Sequence, residues 1–428
     1  MSEFKTWLEE EVATTYLADT HEHLVEESRR LSGEFDQRIP CDDWSLLFTD
    51  YVQGDLHCAG MSLDDRQRFF QPDVPSVEKF KLVAPYWDRV RNTGYARALT
   101  ITMRELYGVE TFNLESVELL ASEYRRVRKP GFYKHILKDV CHISQCHVNS
   151  LDRVFMETAQ PSLLRQDLSI HELSRCNRSD IEKVESELSL TIESFDNWVS
   201  AIDQYFEKFG NLAVAVKYWG AYHRRLDFTH VERHVAERCF NKMIVNRAHD
   251  GAEGAQVVED YFFHFCLRKA QDYSLPVKIH TGYLATRDEM PLARVRDNAI
   301  DVCKLLDNYP GVRFILMHIG YPYQEEYIAL GKQYGNAFID MCWAWIINPV
   351  ASTRFLAEFL SAVPDHKVLT FGGDYSIAEN IVGHSIMARR GIAKAVVALV
   401  DGRWIDRAAV PELLSRLMHL NAQELFGE

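Results

Sequence analysis

Short apolar segments alternate with helical segments along most of the chain, and this alternation restricts the fold more than any other feature of the sequence. The clearest apolar segments are rich in Val, Ile and Phe and end in polar or glycine-containing turns: 211–219, 275–283, 312–322, 336–343 and 367–376. Helical patterns such as 293–309 separate them. Segments that are apolar on both faces and separated by helices are typical of a buried parallel sheet. The pattern therefore predicts an α/β protein.

Three further segments raise the number of predicted strands to eight. Residues 16–23 form the first predicted strand, and 137–148 and 163–173 are interpreted as the second and third. Eight parallel strands that alternate with helices predict a (β/α)8 TIM barrel.

The stretch after the first strand does not follow this alternation. It contains amphipathic helical patterns with aromatic faces, which indicates a helical insertion. We therefore predict a barrel formed by residues 1–24 and 136–428 and a helical insertion subdomain at 25–135. The aromatic faces are expected to lie in the core of the insertion. The same helices are a candidate interface for a homo-oligomer.

Charge and hydropathy exclude several classes of partner. The chain has 48 basic and 62 acidic residues, a net charge of −14, which argues against a nucleic-acid or anionic membrane partner. Its apolar runs are shorter than the roughly 18 residues of a membrane span, and its first residues lack the layout of a signal peptide. Nine cysteines without metal-knuckle spacing fit reduced thiols. We expect a cytoplasmic protein that acts on a small molecule.

Polar side chains end several of the predicted strands. In a barrel of this type the active site lies at the C-terminal ends of the strands. The polar residues found there are His21, His23, Lys217, His280, His318 and Asp374. Residues i and i+2 of a strand face the same side, so His21 and His23 can converge on one ion. Imidazole and carboxylate ligands together suit a divalent metal such as Zn²⁺.

Six short motifs give the chain a resemblance to a known superfamily. They are "DTHEH", the lysine of "VKYWGAY", "VKIHTGY", "MHIGYP", "FGGD" and the closing "NAQELFG". In this order they resemble the amidohydrolase superfamily. The closest resemblance is to the branch with stand-alone and glutamine-synthetase-fused amidohydrolase domains and, more distantly, decarboxylases and uronate isomerase. The similarity spans residue 16 to the C-terminus, and the insertion after the first strand is also similar.

The resemblance implies roles for the residues at the strand ends. It makes His21, His23 and His280 imidazole ligands, and it makes Asp374 a ligand that also transfers protons. With one metal, His318 contacts substrate or orients water. With two metals, His318 holds the second ion and a carboxylated Lys217 bridges both. Lys217 could instead pair with a carboxylate at the barrel rim or bind a substrate carboxylate. We expect one zinc ion, or two if Lys217 is carboxylated.

These roles predict a metal-dependent hydrolase that cleaves a C–N bond of a small, carboxylated substrate. A divalent metal acidifies water and polarises a carbonyl, Asp374 transfers the proton to the leaving nitrogen, and His318 stabilises the oxyanion. Two alternatives stay open. One is a decarboxylase or uronate-isomerase-like enzyme of the same fold, and the other is a non-catalytic metal-binding scaffold. An amine or ammonia product distinguishes hydrolysis from the release of CO₂ or the isomerisation of a sugar.

Residues after the fourth and seventh strands are candidates for substrate binding. Tyr222, Arg224 and Arg225 could bind an anionic group, or they could lie in a solvated loop. Trp343 ends the seventh strand, where an aromatic wall of the pocket is expected. Members associated with glutamine synthetase tend to have an arginine where this chain has His223, so the resemblance implies a shifted specificity.

Overall fold

The computed structural model describes residues 2–33, 39–246, 252–285 and 289–427. The chain forms two compact units. The first unit comprises Met1–Cys146, Ala285–Glu289 and Met341–Ala422, and the second comprises His147–Leu284, Met290–Asp340 and Gln423–Glu428.

Strands and helices follow each other along the described residues. The strands are β1 (Leu17–Glu22), β2 (Ile143–Val148), β3 (Leu164–Gln166), β4 (Leu168–Ser169), β5 (Val216–Tyr218), β6 (Val277–Ile279), β7 (Phe314–Leu316), β8 (Ala337–Asp340) and β9 (Val368–Leu369). The first helices are α1 (Ser2–Thr14), α2 (Glu27–Ser32), α3 (Val52–Cys58), α4 (Leu63–Phe69), α5 (Ser76–Val90), α6 (Gly94–Tyr107), α7 (Val117–Val127), α8 (Phe132–Lys134), α9 (His171–Arg175) and α10 (Arg178–Leu188). The remaining helices are α11 (Phe195–Phe209), α12 (Arg233–Asn246), α13 (Ala252–Asp272), α14 (Leu292–Asn308), α15 (Gln324–Gln333), α16 (Ala344–Ile347), α17 (Pro349–Ala362), α18 (Ile381–Asp401), α19 (Val410–Ser415) and α20 (Asn421–Phe426).

A parallel ladder organises the second unit. Strands β4 to β8 pair in sequence order, with Val216 opposite Val277, Val277 opposite Phe314, and Phe314 opposite Ala337. These four side chains are fully buried. Such burial is typical of a parallel sheet, because the helices that connect its strands cover the faces of the sheet. The C-terminal ends of β5, β6 and β7 therefore meet at one edge of the sheet.

Hydrogen bonds hold β1 in the first unit. The backbone N–H of Thr20 donates to Phe371 (3.0 Å) and that of Leu17 donates to His142 (2.9 Å). The strand is buried along its whole length. It therefore presents His21 next to the segment that follows β9.

Among the described residues, the α-helices α2 to α8 lie between β1 and β2. Their aromatic faces pack on one another: Trp44 contacts Phe48, Phe69 and Phe112 at centroid distances of 5.5 to 5.8 Å. All four rings are buried, so the aromatic stripes form a core, as expected from the sequence. The helical insertion after the first strand is confirmed.

Local signals set the ends of helix α6 in this insertion. The Thr93 side chain accepts from the N–H of Ala96 (3.2 Å), which satisfies one free donor at the start of the helix. Gly108 ends the helix in a left-handed conformation (φ 67°) and donates to Arg104. Thr93 and Gly108 thus mark the two ends of this amphipathic helix.

In two of the predicted strands, part of the apolar pattern is helical in the structure. Residues 137–140 of the predicted second strand lie in a π-helical turn, and residues 171–173 of the third lie in α9. The third strand also divides at Asp167, whose carboxylate accepts hydrogen bonds from Lys278 instead of continuing the apolar pattern. Apolar periodicity alone does not mark such boundaries. No helix among the described residues is long and apolar enough to cross a membrane.

Substitutions in the buried ion pair of Asp167 and Lys278 test how much this pair contributes to the stability of the protein. The Nζ atom of Lys278 lies 2.8 Å from Oδ1 of Asp167, and both side chains are fully buried. We expect Asp167→Asn to lower the free energy of unfolding by about 3–5 kcal/mol, because it leaves a buried ammonium without its counter-charge. Urea unfolding measures this change.

The apolar double variant D167L/K278M should recover most of that loss, because both desolvated charges are removed together. Lys81→Ala, whose partner Glu78 is solvent-exposed, is the matched control and should leave the urea midpoint unchanged. Equal effects of D167N and Lys81→Ala would contradict a structural role for the buried pair.

Candidate metal centre

Three predicted metal ligands converge in the first unit. The Nε2 atoms of His21 and His23 lie 3.3 Å apart, and Oδ1 of Asp374 lies 3.2 Å from the first and 3.3 Å from the second. His21 is fully buried, and Asp374 is 8% exposed. The i and i+2 positions on β1 aim both rings in one direction, as the sequence predicts.

The spacing of these atoms fits a tetrahedral metal. Zinc holds nitrogen and oxygen ligands at about 2.0–2.1 Å, so two ligands at the corners of a tetrahedron lie about 3.3–3.4 Å apart. All three measured distances fall close to that value. Two imidazoles and one carboxylate also suit a borderline divalent ion. The three residues therefore fit a divalent metal and would supply three of its ligands.

Backbone geometry fixes Asp374 in this position. Its N–H donates to the carbonyl of His21 (3.0 Å), and its backbone is left-handed at φ 63°. A Cβ atom on Gly373 would lie 2.0 Å from Oε1 of Glu22, so any larger residue before the aspartate would displace the Glu22 carboxylate. Oε2 of Glu22 accepts from the N–H of Tyr375 (2.7 Å). The glycines of "FGGD" thus let the loop approach β1 closely.

Tyr51 lies against this loop and was missed by the sequence reasoning. Its hydroxyl donates to the carbonyl of Asp374, and its ring stacks on Trp343 (centroids 4.7 Å apart, 22° between planes). Burial, followed by the charge of Asp374, raises the pKa of Tyr51, so it stays a donor. Tyr51 belongs to the inserted helical region and is 323 residues from Asp374, and no local motif relates the two. Trp343 is fully buried beside Tyr51, and its role in substrate binding stays a prediction.

Two other predicted residues meet in the second unit. Nε2 of His318 lies 3.0 Å from Nδ1 of His280, and Nε2 of His280 lies 2.9 Å from the carbonyl oxygen of Tyr283. Because a carbonyl only accepts, Nε2 of His280 carries the hydrogen in the neutral ring and Nδ1 carries the lone pair. Metal-binding histidines commonly donate their other ring nitrogen to a backbone carbonyl. His280 thus has its lone pair on Nδ1, as a histidine that binds a metal through Nδ1 requires.

Lys217 and the predicted substrate residues lie in the same unit. Lys217 is buried on β5, and its Nζ lies 2.9 Å from Sδ of Met317. The ring of Tyr222 lies 4.6 Å from that of His280, whereas the two arginines form ion pairs within the protein. Arg224 pairs with Asp260 (2.6 Å) and Arg225 with Asp301 (2.5 Å). An arginine would have to exchange its carboxylate to bind a substrate, so their substrate role stays a prediction.

A family model described as amidohydrolase matches residues 175–427, more than half of the chain. The chain therefore belongs to the amidohydrolase family. It is also similar to the protein FluG of Emericella nidulans, with 26% identity over 153 residues. That match covers 35% of the chain and 17% of FluG, so the chain corresponds to only a small part of that relative.

Solved structures share the fold over nearly the whole chain. Glucuronate isomerase from Caulobacter crescentus has a TM-score of 0.79 at 15% identity and covers 99% of this chain and 94% of its own. Uronate isomerase from Thermotoga maritima has a TM-score of 0.79 at 14% identity, covering 99% and 97%. A Lactobacillus casei protein assigned as a metal-dependent hydrolase has a TM-score of 0.66 at 15% identity, covering 98% and 97%. The predicted fold class, a (β/α)8 TIM barrel with a helical insertion, is confirmed.

The Tyr51 hydroxyl provides a test of how Asp374 is held. We expect Tyr51→Phe to weaken zinc binding by about tenfold, because groups that orient a metal ligand typically contribute at least that much. Competition with a chromophoric chelator measures the affinity. Tyr124→Phe is the matched control, since that buried tyrosine of the same unit contacts Arg30 (3.0 Å) instead of Asp374. Unchanged zinc affinity in Tyr51→Phe would show that the loop holds Asp374 without Tyr51.

Proposed function

We propose that the protein is a metal-dependent hydrolase that cleaves an amide-type C–N bond of a small, carboxylated molecule. The convergence of His21, His23 and Asp374 at tetrahedral spacing carries this proposal. Membership of the amidohydrolase family supports it. Zinc as the ion, the cytoplasm as the location and a second ion bridged by carboxylated Lys217 stay predictions from the sequence.

The proposed ligands are His21, His23 and Asp374, and His280 stays the predicted fourth ligand. A divalent ion bound by them supplies Lewis acidity, which polarises a substrate carbonyl and acidifies water. The burial of His21 and Asp374 keeps bulk water away and strengthens every charge interaction there. Neutral imidazoles are required, because a protonated ring has no lone pair for a metal.

Asp374 is the proposed proton carrier. Its carboxylate has two oxygens, of which Oδ1 faces both histidines. The group can accept the proton of the attacking water and deliver it to the leaving nitrogen, as a general base and then a general acid. The left-handed backbone and the bond to His21 hold the carboxylate in place during both steps.

His318 is the proposed donor to the oxyanion. In the neutral pair its Nε2–H faces the lone pair of Nδ1 of His280. When that lone pair binds another partner, the N–H becomes available to the negative oxygen of the tetrahedral intermediate. His318 is fully buried, so its ring has little freedom to turn away.

A non-hydrolytic reaction is the second candidate. Two structures described as uronate and glucuronate isomerases match 99% of the chain, including the helical insertion. At 14–15% identity this likeness concerns the fold. It is a reason to test isomerisation in the same experiment, and the resemblance of the sequence motifs is a reason to test decarboxylation there. The same donor set can polarise a carbonyl without delivering water to it.

Product analysis separates these reactions. The full chain, purified without a metal-chelating tag and loaded with zinc, is incubated with N-acyl amino acids, other carboxylated amides, hexuronates and aromatic carboxylic acids. Hydrolysis is expected to release an amine or ammonia in equal amount to a new carboxylate. A ketose formed from a hexuronate, or CO₂ without nitrogen release, would replace hydrolysis by the second candidate.

Two variants test the proposed centre. We expect His23→Ala to lose one equivalent of bound zinc and all measurable turnover, because it removes a ligand. Asp374→Asn is expected to lower kcat by about 10²–10⁴-fold, since an amide cannot carry the proton. Elemental analysis and steady-state kinetics with the substrate found above measure both effects.

His135→Ala is the matched control, because His135 is an exposed histidine of the first unit that pairs with Asp139 (3.1 Å). It should bind as much zinc as the unmodified chain. Unchanged zinc content in His23→Ala would overturn the proposed centre, whatever the activity.

A further inference from the structure

A second cluster of metal-binding side chains lies outside the residues assigned above. It comprises His171 at the start of α9, His223 after β5 and Glu259 on α13, all in the second unit. One ligand atom from each residue lies within 4.8 Å of the other two. We call these three residues the His171 cluster.

His171 is a buried imidazole that lacks hydrogen bonds. It is fully buried, and among residues 2–33, 39–246, 252–285 and 289–427 neither of its ring nitrogens has a hydrogen-bond partner. Its ring stacks on Trp219 with centroids 3.5 Å apart. Burial, with the charge of Arg175 second, lowers its pKa well below the ordinary value, so the ring is neutral and offers a lone pair. An unpaired buried polar group costs free energy, which a ligand would recover.

His223 and Glu259 are already spaced like two ligands of one ion. Nε2 of His223 lies 3.0 Å from Oε1 and 3.2 Å from Oε2 of Glu259. The hydroxyl of Tyr218 donates to Glu259 (2.7 Å) and orients it, as outer-shell partners of metal ligands do. The His223 side chain is about one third exposed, which gives an ion a route in from solvent.

The charge balance of the surroundings favours a cation at Glu259. Neighbouring cations have carboxylates of their own: Arg175 with Asp180 (2.6 Å), Lys183 with Glu172 (3.1 Å) and Arg224 with Asp260 (2.6 Å). Arg224 reaches Glu259 only at 3.4 Å. The charge of Glu259 is thus only partly neutralised.

We propose that His171, His223 and Glu259 bind a divalent transition-metal ion of the zinc type, separate from the ion at His21, His23 and Asp374. Two imidazoles and one carboxylate suit zinc, cobalt or nickel, whereas magnesium and calcium require oxygen ligands. His223 and Glu259 form the preset pair, and His171 is the third ligand, brought in by a small movement of its ring.

Counting metal equivalents tests the site. The full chain is stripped with a chelator, dialysed against zinc, and compared with His223→Ala, His23→Ala and the control His135→Ala. We expect His223→Ala to bind one equivalent less than the unmodified chain, and His23→Ala to keep the equivalent that His223→Ala loses. Cobalt added to His23→Ala should produce visible d–d absorption that disappears in the double variant H23A/H223A.

A second pair of measurements guards against misfolding. Glu259→Gln preserves the shape of the side chain and should also lose one zinc equivalent while keeping its circular dichroism spectrum. Zinc is expected to raise the Tm of His23→Ala but not that of H23A/H223A, because only the former retains a site.

The outcomes of these measurements distinguish the His171 cluster from the proposed hydrolase centre. Equal zinc content in the unmodified chain, His223→Ala and Glu259→Gln would overturn the His171 cluster and leave the proposed hydrolase centre intact. A loss in His223→Ala without any loss in His23→Ala would support the cluster and overturn the other centre. Binding of magnesium as tight as that of zinc at the cluster would also overturn the proposal.

Discussion

The backbone hydrogen bond from Asp374 to the carbonyl of His21 is the contact on which the candidate metal centre depends. It joins the loop after β9 to the end of β1, so that the carboxylate meets two rings already aligned by the pleat of the strand. Gly373 permits this approach, since any Cβ atom there would overlap Glu22. Tyr51 then holds the carbonyl of Asp374 from the inserted helices. The insertion therefore supports the aspartate through Tyr51.

The sequence predicted those features that repeat or that lie close together in the chain. Apolar runs separated by helices indicated the parallel strands, and the i and i+2 spacing placed His21 and His23 on one side of β1. Asp374 was a candidate because it ends the last predicted strand, and the resemblance implied its role as a ligand, since residues about 350 positions apart have no common periodicity. Strand ends were predicted less well, since an apolar pattern continues through turns such as that at 137–140. The third predicted strand is interrupted at Asp167, which forms a buried ion pair with Lys278. Apolar periodicity does not indicate such an ion pair.

Contacts between distant side chains could not be predicted from the sequence. Arg224 and Arg225 resembled ligands for a substrate anion, but each lies against an aspartate on a later helix, Asp260 on α13 and Asp301 on α14. The same is true of Tyr51 and of Glu259, which carry no motif and gain their significance from their neighbours. Such residues become visible only when burial and charge are known, because both determine whether a polar group needs a partner.

His223 bears on both proposals, the hydrolase function and the metal site at the His171 cluster. Where the resembling members tend to have an arginine, a second guanidinium beside Arg224 would compete with a metal ion for the carboxylate of Glu259. An imidazole can instead offer a lone pair to a metal ion beside the same carboxylate. The single exchange thus removes one anion-binding group near Tyr222 and provides one cation-binding group beside His171. Because Tyr222 also contacts His280, a metal at the His171 cluster would rigidify the segment that carries a predicted ligand of the hydrolase centre.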